Sequence, residues 1–294
     1  MLKLFFVCVG LLFASYGKSQ SLSERLLVKP AGGQPPIHKK VLINEPSNLS
    51  PFSSSSAKVE NEEIQPDSLS KLSLSFNGAP NSQSYSLKGS GLNGTLSNEY
   101  GYEYGLKTSY HSDDESKAMF LSYDRSEATF KGSDFLTPSK IDVQREYLFA
   151  GYSNLAFFER KFGFKIGYGL INQKATQTEP NELISSYNSH GFLTGFMLRL
   201  PNFMGRWGVS SDCSVYLPSS INEDNGSSGN RGFSYTSILD VLMFRNLTAD
   251  LQLTVGFRSK IDNQSYSGQS SRGTNNATTN YQTYSFPIEL RYSL

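Results

Sequence analysis

The last eleven residues constrain the fold of this chain more than any other stretch. Tyr284, Phe286, Ile288, Leu290, Tyr292 and Leu294 alternate without a break with Ser285, Pro287, Glu289, Arg291 and Ser293. Successive side chains of an extended strand point to opposite faces, so a period of two puts all the apolar groups on one face. The same rule recurs upstream. Tyr100, Tyr102, Tyr104, Leu106 and Tyr110 alternate with Gly101, Glu103, Gly105, Lys107 and Ser109, with Thr108 the one polar residue on the apolar face. Phe162, Phe164, Ile166, Tyr168 and Leu170 alternate with Gly163, Lys165, Gly167 and Gly169, and Ala249, Leu251, Leu253, Val255 and Phe257 with Asp250, Gln252, Thr254, Gly256 and Arg258. Segments near 118–124, 191–200 and 207–217 follow the pattern less cleanly, and 145–155 and 233–244 are mixed.

Composition agrees with an all-β chain. The 20 Phe, 17 Tyr and 25 Gly, against 18% charged residues, favour strands and turns over helices. A formal net charge of +1 gives no attraction for polyanions, so nucleic acid is set aside as a partner. Lys3 followed by the apolar run Leu4 to Ala14 and the small residues Ser15, Gly17 and Ser19 reads as a cleavable export signal over 1–19. That run is about half of what a bilayer-crossing helix needs, and no second run of ~18 apolar residues follows it. Residues 20–69, rich in Ser and Pro and without sustained periodicity, read as a disordered leader, in which Val41-Leu42-Ile43 is a short apolar exception. Once the signal is removed, taking Cys8 with it, only Cys213 remains and no internal disulfide is available.

The connections have a rhythm of their own. Short breaks fall near 111–116, 156–161, 201–206 and 245–247, and long polar stretches near 91–99, 125–144, 173–189, 218–231 and 259–282. Counting strands between them gives ten, the first drawn from Leu72 to Gly89, with eight and twelve as alternatives. The first strand changes phase, since Leu72, Leu74 and Phe76 fall on one face and Tyr85 and Leu87 on the other. This predicts a turn or bulge at Gly78-Ala79-Pro80-Asn81.

With the export signal, the alternation of short turns with long loops and the amphipathic terminal strand, residues 70–294 resemble the bacterial outer-membrane β-barrel proteins. The resemblance is to an architecture class. It implies a closed antiparallel transmembrane barrel in the outer membrane, both termini on the periplasmic side, and long external loops. It also implies membrane lipid as surroundings and the barrel-insertion machinery as a partner during biogenesis, which would read Tyr284, Phe286, Ile288, Leu290, Tyr292 and Leu294. Members of that class commonly end in an aromatic residue, whereas this chain ends in Leu294 with Tyr292 two places before it. A secreted soluble β-sandwich that binds a ligand is the alternative architecture, because it alternates too.

In a barrel the polar face lines the lumen. The residues that fall on it are Glu103, Lys107, Lys165, Arg199, Asp212, Asp240, Asp250, Arg258, Glu289 and Arg291, five acidic and five basic. A balanced set points to a lumen filled by salt bridges, and a narrow passive channel is the competing possibility. Gly101, Gly105, Gly163, Gly167 and Gly169 read as small lumen-facing positions. The functional expectation is a structural or surface-interaction barrel, or a narrow channel, with a possible extracellular ligand held by the loops. The alternative enzyme is a hydrolase at the outer rim, built on His190 with Glu182 or Ser189. His38 and His111 are less suitably placed, Asp113-Asp114-Glu115 reads as a solvated turn, and no cofactor or metal motif is present in the sequence.

Overall fold

The computed structural model describes residues 72–90, 92–112, 115–131, 140–177, 184–204, 206–224, 228–269 and 275–294. The expected export signal and leader lie outside these residues. The strands are β1 (Leu72–Ser90), β2 (Leu92–His111), β3 (Lys117–Lys131), β4 (Lys140–Phe157), β5 (Phe162–Gln177) and β6 (Tyr187–Met204), then β7 (Trp207–Glu223), β8 (Asn230–Arg231), β9 (Tyr235–Asn246), β10 (Leu251–Ser267), β11 (Asn275–Ser285) and β12 (Ile288–Ser293). Each pairs antiparallel with its neighbour in sequence, apart from two exceptions. The two-residue β8 stands off the wall and pairs with the end of β10, so β7 pairs directly with β9. β11 and β12 both lie between β10 and β1, in one continuous register, and form a single interrupted stave. With those two counted as one, ten staves close the sheet on itself, and β1 meets both β2 and the terminal stave. One closed sheet rules out the two-sheet sandwich.

The interruption is chemical in origin. Proline has no amide donor, and Pro287 follows Phe286 at the break between β11 and β12. The register Gly78↔Ile288 and Asn81↔Ser285 places Pro80 of β1 across from the same break, so two missing donors share one gap. The edges of the gap are held by Gly256 N donating to Pro287 O at 3.2 Å and Phe286 N donating to Pro80 O at 3.4 Å. At the short-turn end, Leu294 N donates to Leu72 O at 2.8 Å and brings the chain's end back to the first strand.

Of the turn or bulge expected at 78–81, no turn forms, and a bulge in the pairing with β2 begins at Asn81. β1 runs straight through it with an unbroken alternation. Ser73, Ser75, Ala79, Asn81, Gln83, Tyr85 and Leu87 are all buried on the inner face, while Leu72 and Phe76 are exposed on the outer. The irregularity sits on β2 instead, where the partner of Asn81 is Gly101 and the partner of Gln83 is Asn98, leaving one extra residue on β2. The apolar residues change face because the surroundings change along the stave. Where lipid lies outside, apolar groups point out; beyond the bilayer, water lies outside and the apolar groups must turn in. β3 repeats this, with Met119 and Leu121 exposed on the outer face, then Arg125 and Glu127 on that same face, while Ala128 and Phe130 are buried inside. Much of 91–99, 125–144, 173–189, 218–231 and 259–282, expected as loop, is therefore wall.

Two apolar clusters fill the lumen from the long-loop end. The outer one joins Tyr85, Leu87, Leu96, Phe130, Val143 and Tyr281, and the next joins Phe120, Tyr147, Phe149, Tyr187, Leu193 and Tyr216. Burying each such ring stabilises by about 1.5–3 kcal/mol. Glycine makes room for them: a Cβ on Gly169 would lie 2.1 Å from Phe149 Cδ1, and one on Gly208 2.2 Å from Phe244 Cζ.

Candidate functional site: the charged lumen

Between and below these clusters the inner face carries charge. An ion in a narrow lumen cannot reach bulk water freely, so it must pair or keep bound water, and an isolated one costs several kcal/mol. Arg258 of β10 donates from Nη1 to Glu103 of β2 at 2.8 Å and from Nε to Asp240 of β9 at 2.8 Å, and its Nη1 is 3.4 Å from Asp124 of β3. Lys260 Nζ reaches Glu103 at 3.1 Å and Asp124 at 3.4 Å. This five-residue cluster bolts β2 and β3 to β9 and β10 through the lumen.

A second layer lies toward the outside. Arg145 of β4, fully buried, donates to Asp262 of β10 at 2.7 Å, and Asp262 also accepts from Tyr187 at 2.6 Å, Thr236 at 3.1 Å and Gln264 at 3.1 Å. The Arg145 guanidinium sits 4.3 Å from the centre of the Tyr281 ring, and Lys260 Nζ 4.3 Å from that of Tyr147. Toward the short turns, Lys165 donates to Asp212 at 2.5 Å, and Arg199 lies 3.7 Å from Glu115.

Of the residues assigned to the lumen from sequence, Glu103, Asp240 and Arg258 thus meet in one cluster and Lys165 meets Asp212. Lys107, Arg199, Glu289 and Arg291 line the cavity beneath them. Asp250 does not join them. β9 stops at Asn246 and residues 247–250 make the turn, where Asp250 is exposed and its carbonyl accepts from Ser293 N at 2.8 Å. The sequence reading missed Asp124, Arg145, Lys260 and Asp262. A signal existed for two of them, since Lys260 and Asp262 continue the inward phase of Thr254, Gly256 and Arg258.

The cavity measures about 250 Å³ and ends at Asp124, Arg258 and Lys260. A second, of about 520 Å³, lies at the short-turn mouth and shares Glu115, Ser116, Leu155, Arg199 and Phe244 with the first. Above the cavity, among the described residues, ion pairs and buried rings reach across the lumen.

On the outer wall, His190 and Ser189 point to opposite faces. Ser189 is buried inside within 3.2 Å of the Tyr216 hydroxyl, and Glu182 lies outside the described residues. The neighbour His190 does have is Ser219, exposed by a bulge that shifts the pairing from His190↔Ser220 to Gly191↔Pro218. Ser219 Oγ is 3.0 Å from His190 Nδ1 and donates to the His190 carbonyl at 2.8 Å, and the Tyr168 hydroxyl also bonds Nδ1. At the external rim, beyond the bilayer zone, Thr129 Oγ1 donates to Asp142 at 2.6 Å. That bond and nearby Lys140 hold the Asp142 carboxyl below its ordinary range.

The outer face carries a belt of exposed apolar groups, among them Phe76, Leu106, Leu121, Ile166, Phe192, Val241, Ile288 and Leu290, around a closed wall that leaves no unpaired sheet edge. Those two properties define a transmembrane antiparallel β-barrel of the outer-membrane type. No protein-family model and no curated protein sequence matches the chain. Solved structures with a similar outline include the toluene transporter TodX of P. putida (8% identity over 76% of this chain and 90% of that one, TM-score 0.36). The outer membrane protease OmpT of Escherichia coli (9%, 78% and 98%, 0.43) and Neisserial surface protein A (10%, 78% and 100%, 0.31) are others. Likenesses of this size carry no argument about role, and the class rests on the wall itself.

Proposed function

We propose that this chain is a closed-lumen barrel of the bacterial outer membrane, with a structural or surface-interaction role, and not an open channel. The observation that carries this reading is the stack of ion pairs and aromatic rings across the lumen, from Arg258 and Glu103 up through Arg145 and Asp262 to Phe130 and Tyr281. Its test is conductance of the purified barrel in a planar bilayer. Steps of ion-channel size would overturn it.

The surface-interaction half of the proposal is supported at the external end. Between β7 and β9 the chain is pinned by Arg231 donating to the Pro218 carbonyl at 2.6 Å and by Ser228 donating to Glu223 at 2.6 Å. Phe233 is left 74% exposed beside it. An exposed aromatic group beside the outer end of the wall is a contact point for an extracellular ligand. Loss of cell-surface binding on trimming 225–227 together with Phe233→Ser would support it, and unchanged binding would count against it.

A second reading, acyl hydrolysis at the outer rim, rests on the Ser219–His190 contact. Its requirement is a serine that a fluorophosphonate probe labels and that Ser219→Ala leaves unlabelled.

A further inference from the structure

We infer that the cavity of the lower lumen is a binding site for a small oxyanion, a carboxylate or phosphate, entering from the periplasmic mouth. The argument starts from which charges in the cavity wall are already used. Glu103, Asp124 and Asp240 share Arg258 and Lys260, Asp212 is held by Lys165, and Glu115 faces Arg199. Lys107 and Arg291 remain. They flank Ser75 in one row, since Ser75 pairs with Lys107 on β2 and with Arg291 on β12. Neither has an ion pair among the described residues.

Arg291 donates one Nη2 bond to His111 at 2.9 Å, and its Nε is buried without a partner. Lys107 Nζ meets only the Phe120 ring, at 5.8 Å, among the described contacts. The acid left over in the same wall is Glu289, so two cations face one carboxylate. Ser73, Ser75, Ser109 and Ser122 add hydroxyl donors. A planar guanidinium without a counter-ion, an ammonium across from it and surrounding hydroxyls form the donor set that carboxylates and phosphates need. Ion pairs that reach across the lumen above it suit a site that holds its guest and does not pass it on.

The test uses the full-length chain in detergent with Cys8→Ser, Cys213→Ser and a reporter Ser122→Cys, whose position pairs directly with Lys107. Thiol modification is timed with an anionic and a cationic methanethiosulfonate, with and without inorganic phosphate or, separately, succinate. The inference expects the anionic reagent to react faster and one or both anions to slow it saturably, the stronger of the two identifying phosphoryl or carboxylate chemistry. Lys107→Gln should cut the anionic-to-cationic rate ratio about tenfold, because one charge at ~6 Å in water-like surroundings changes each rate about threefold and in opposite directions, while Lys107→Arg preserves it. A faster cationic reagent, or no protection by either anion, overturns the site. Both outcomes are read in the reporter alone, so they stand even if the Gln variant does not fold.

Discussion

Asp262 is the residue on which the lumen's outer layer turns, because four donors converge on it. Asp262→Asn leaves the Arg145 charge buried without its counter-ion and should destabilise the barrel by about 3–5 kcal/mol. The control is Arg125→Met, which removes the 2.6 Å pair with Glu127 on the solvated outer rim and should cost under about 1 kcal/mol. Urea unfolding followed through Trp207 fluorescence or heat-dependent gel mobility measures both. Thr129→Val removes the bond that lowers Asp142, so that carboxyl should titrate at a higher pH by NMR. The sign follows from the native state: stability contributed by a depressed carboxyl is present above its unfolded pKa and is lost as pH falls through the folded one, and the variant keeps only the part of that dependence due to Lys140.

For a strand, the change of apolar face is the property to test. Phe76 and Ser84 lie on the same outer face of β1, eight residues apart. Phe76→Arg should cost about 2–4 kcal/mol if lipid surrounds it, and Ser84→Arg close to nothing. Equal costs would mean that β1 does not leave the bilayer between them. On β10, Leu253→Arg should show the same penalty of about 2–4 kcal/mol, with Thr254→Arg, which points into the cavity, milder. The terminal alternation, the four short turns and the count of ten were legible in the sequence because lipid and lumen differ in polarity at every position within the bilayer. The outer halves of β1, β3, β4 and β10 were not. There Tyr85, Phe130 and Val143 face inward and polar groups face water, which reverses the phase and imitates a break.

As a whole, the molecule is a barrel whose two halves obey opposite rules, a lipid-embedded half with a charged interior and a protruding half with an apolar one. The ion-paired layers sit at the junction, where Lys260 touches both Glu103 below and the Tyr147 ring above. The expected outcome for the intact protein in a planar bilayer is no measurable conductance. Adding the charge-breaking Asp262→Asn should not open it, because the rings of the outer apolar cluster still fill the section above.

The sequence by itself determined the period-two wall, the polar and apolar faces within the membrane, and a balanced set of inward charges. These are local properties, since a side chain's face follows from its position in an extended strand. Which charges meet was decided only by closure of the sheet. Arg258 and Glu103 are 155 positions apart in the chain, and Arg145 and Asp262 are 117 apart. Their contacts depend on the register of all ten staves at once, and no window of sequence holds that information. The same closure turned Asp250 out into a turn and brought Lys107 and Arg291 together on either side of Ser75. The terminal strand, regular in its alternation from Tyr284 to Leu294, found its one irregularity, Pro287, placed one step from the partner of Pro80 by the strand it had to join.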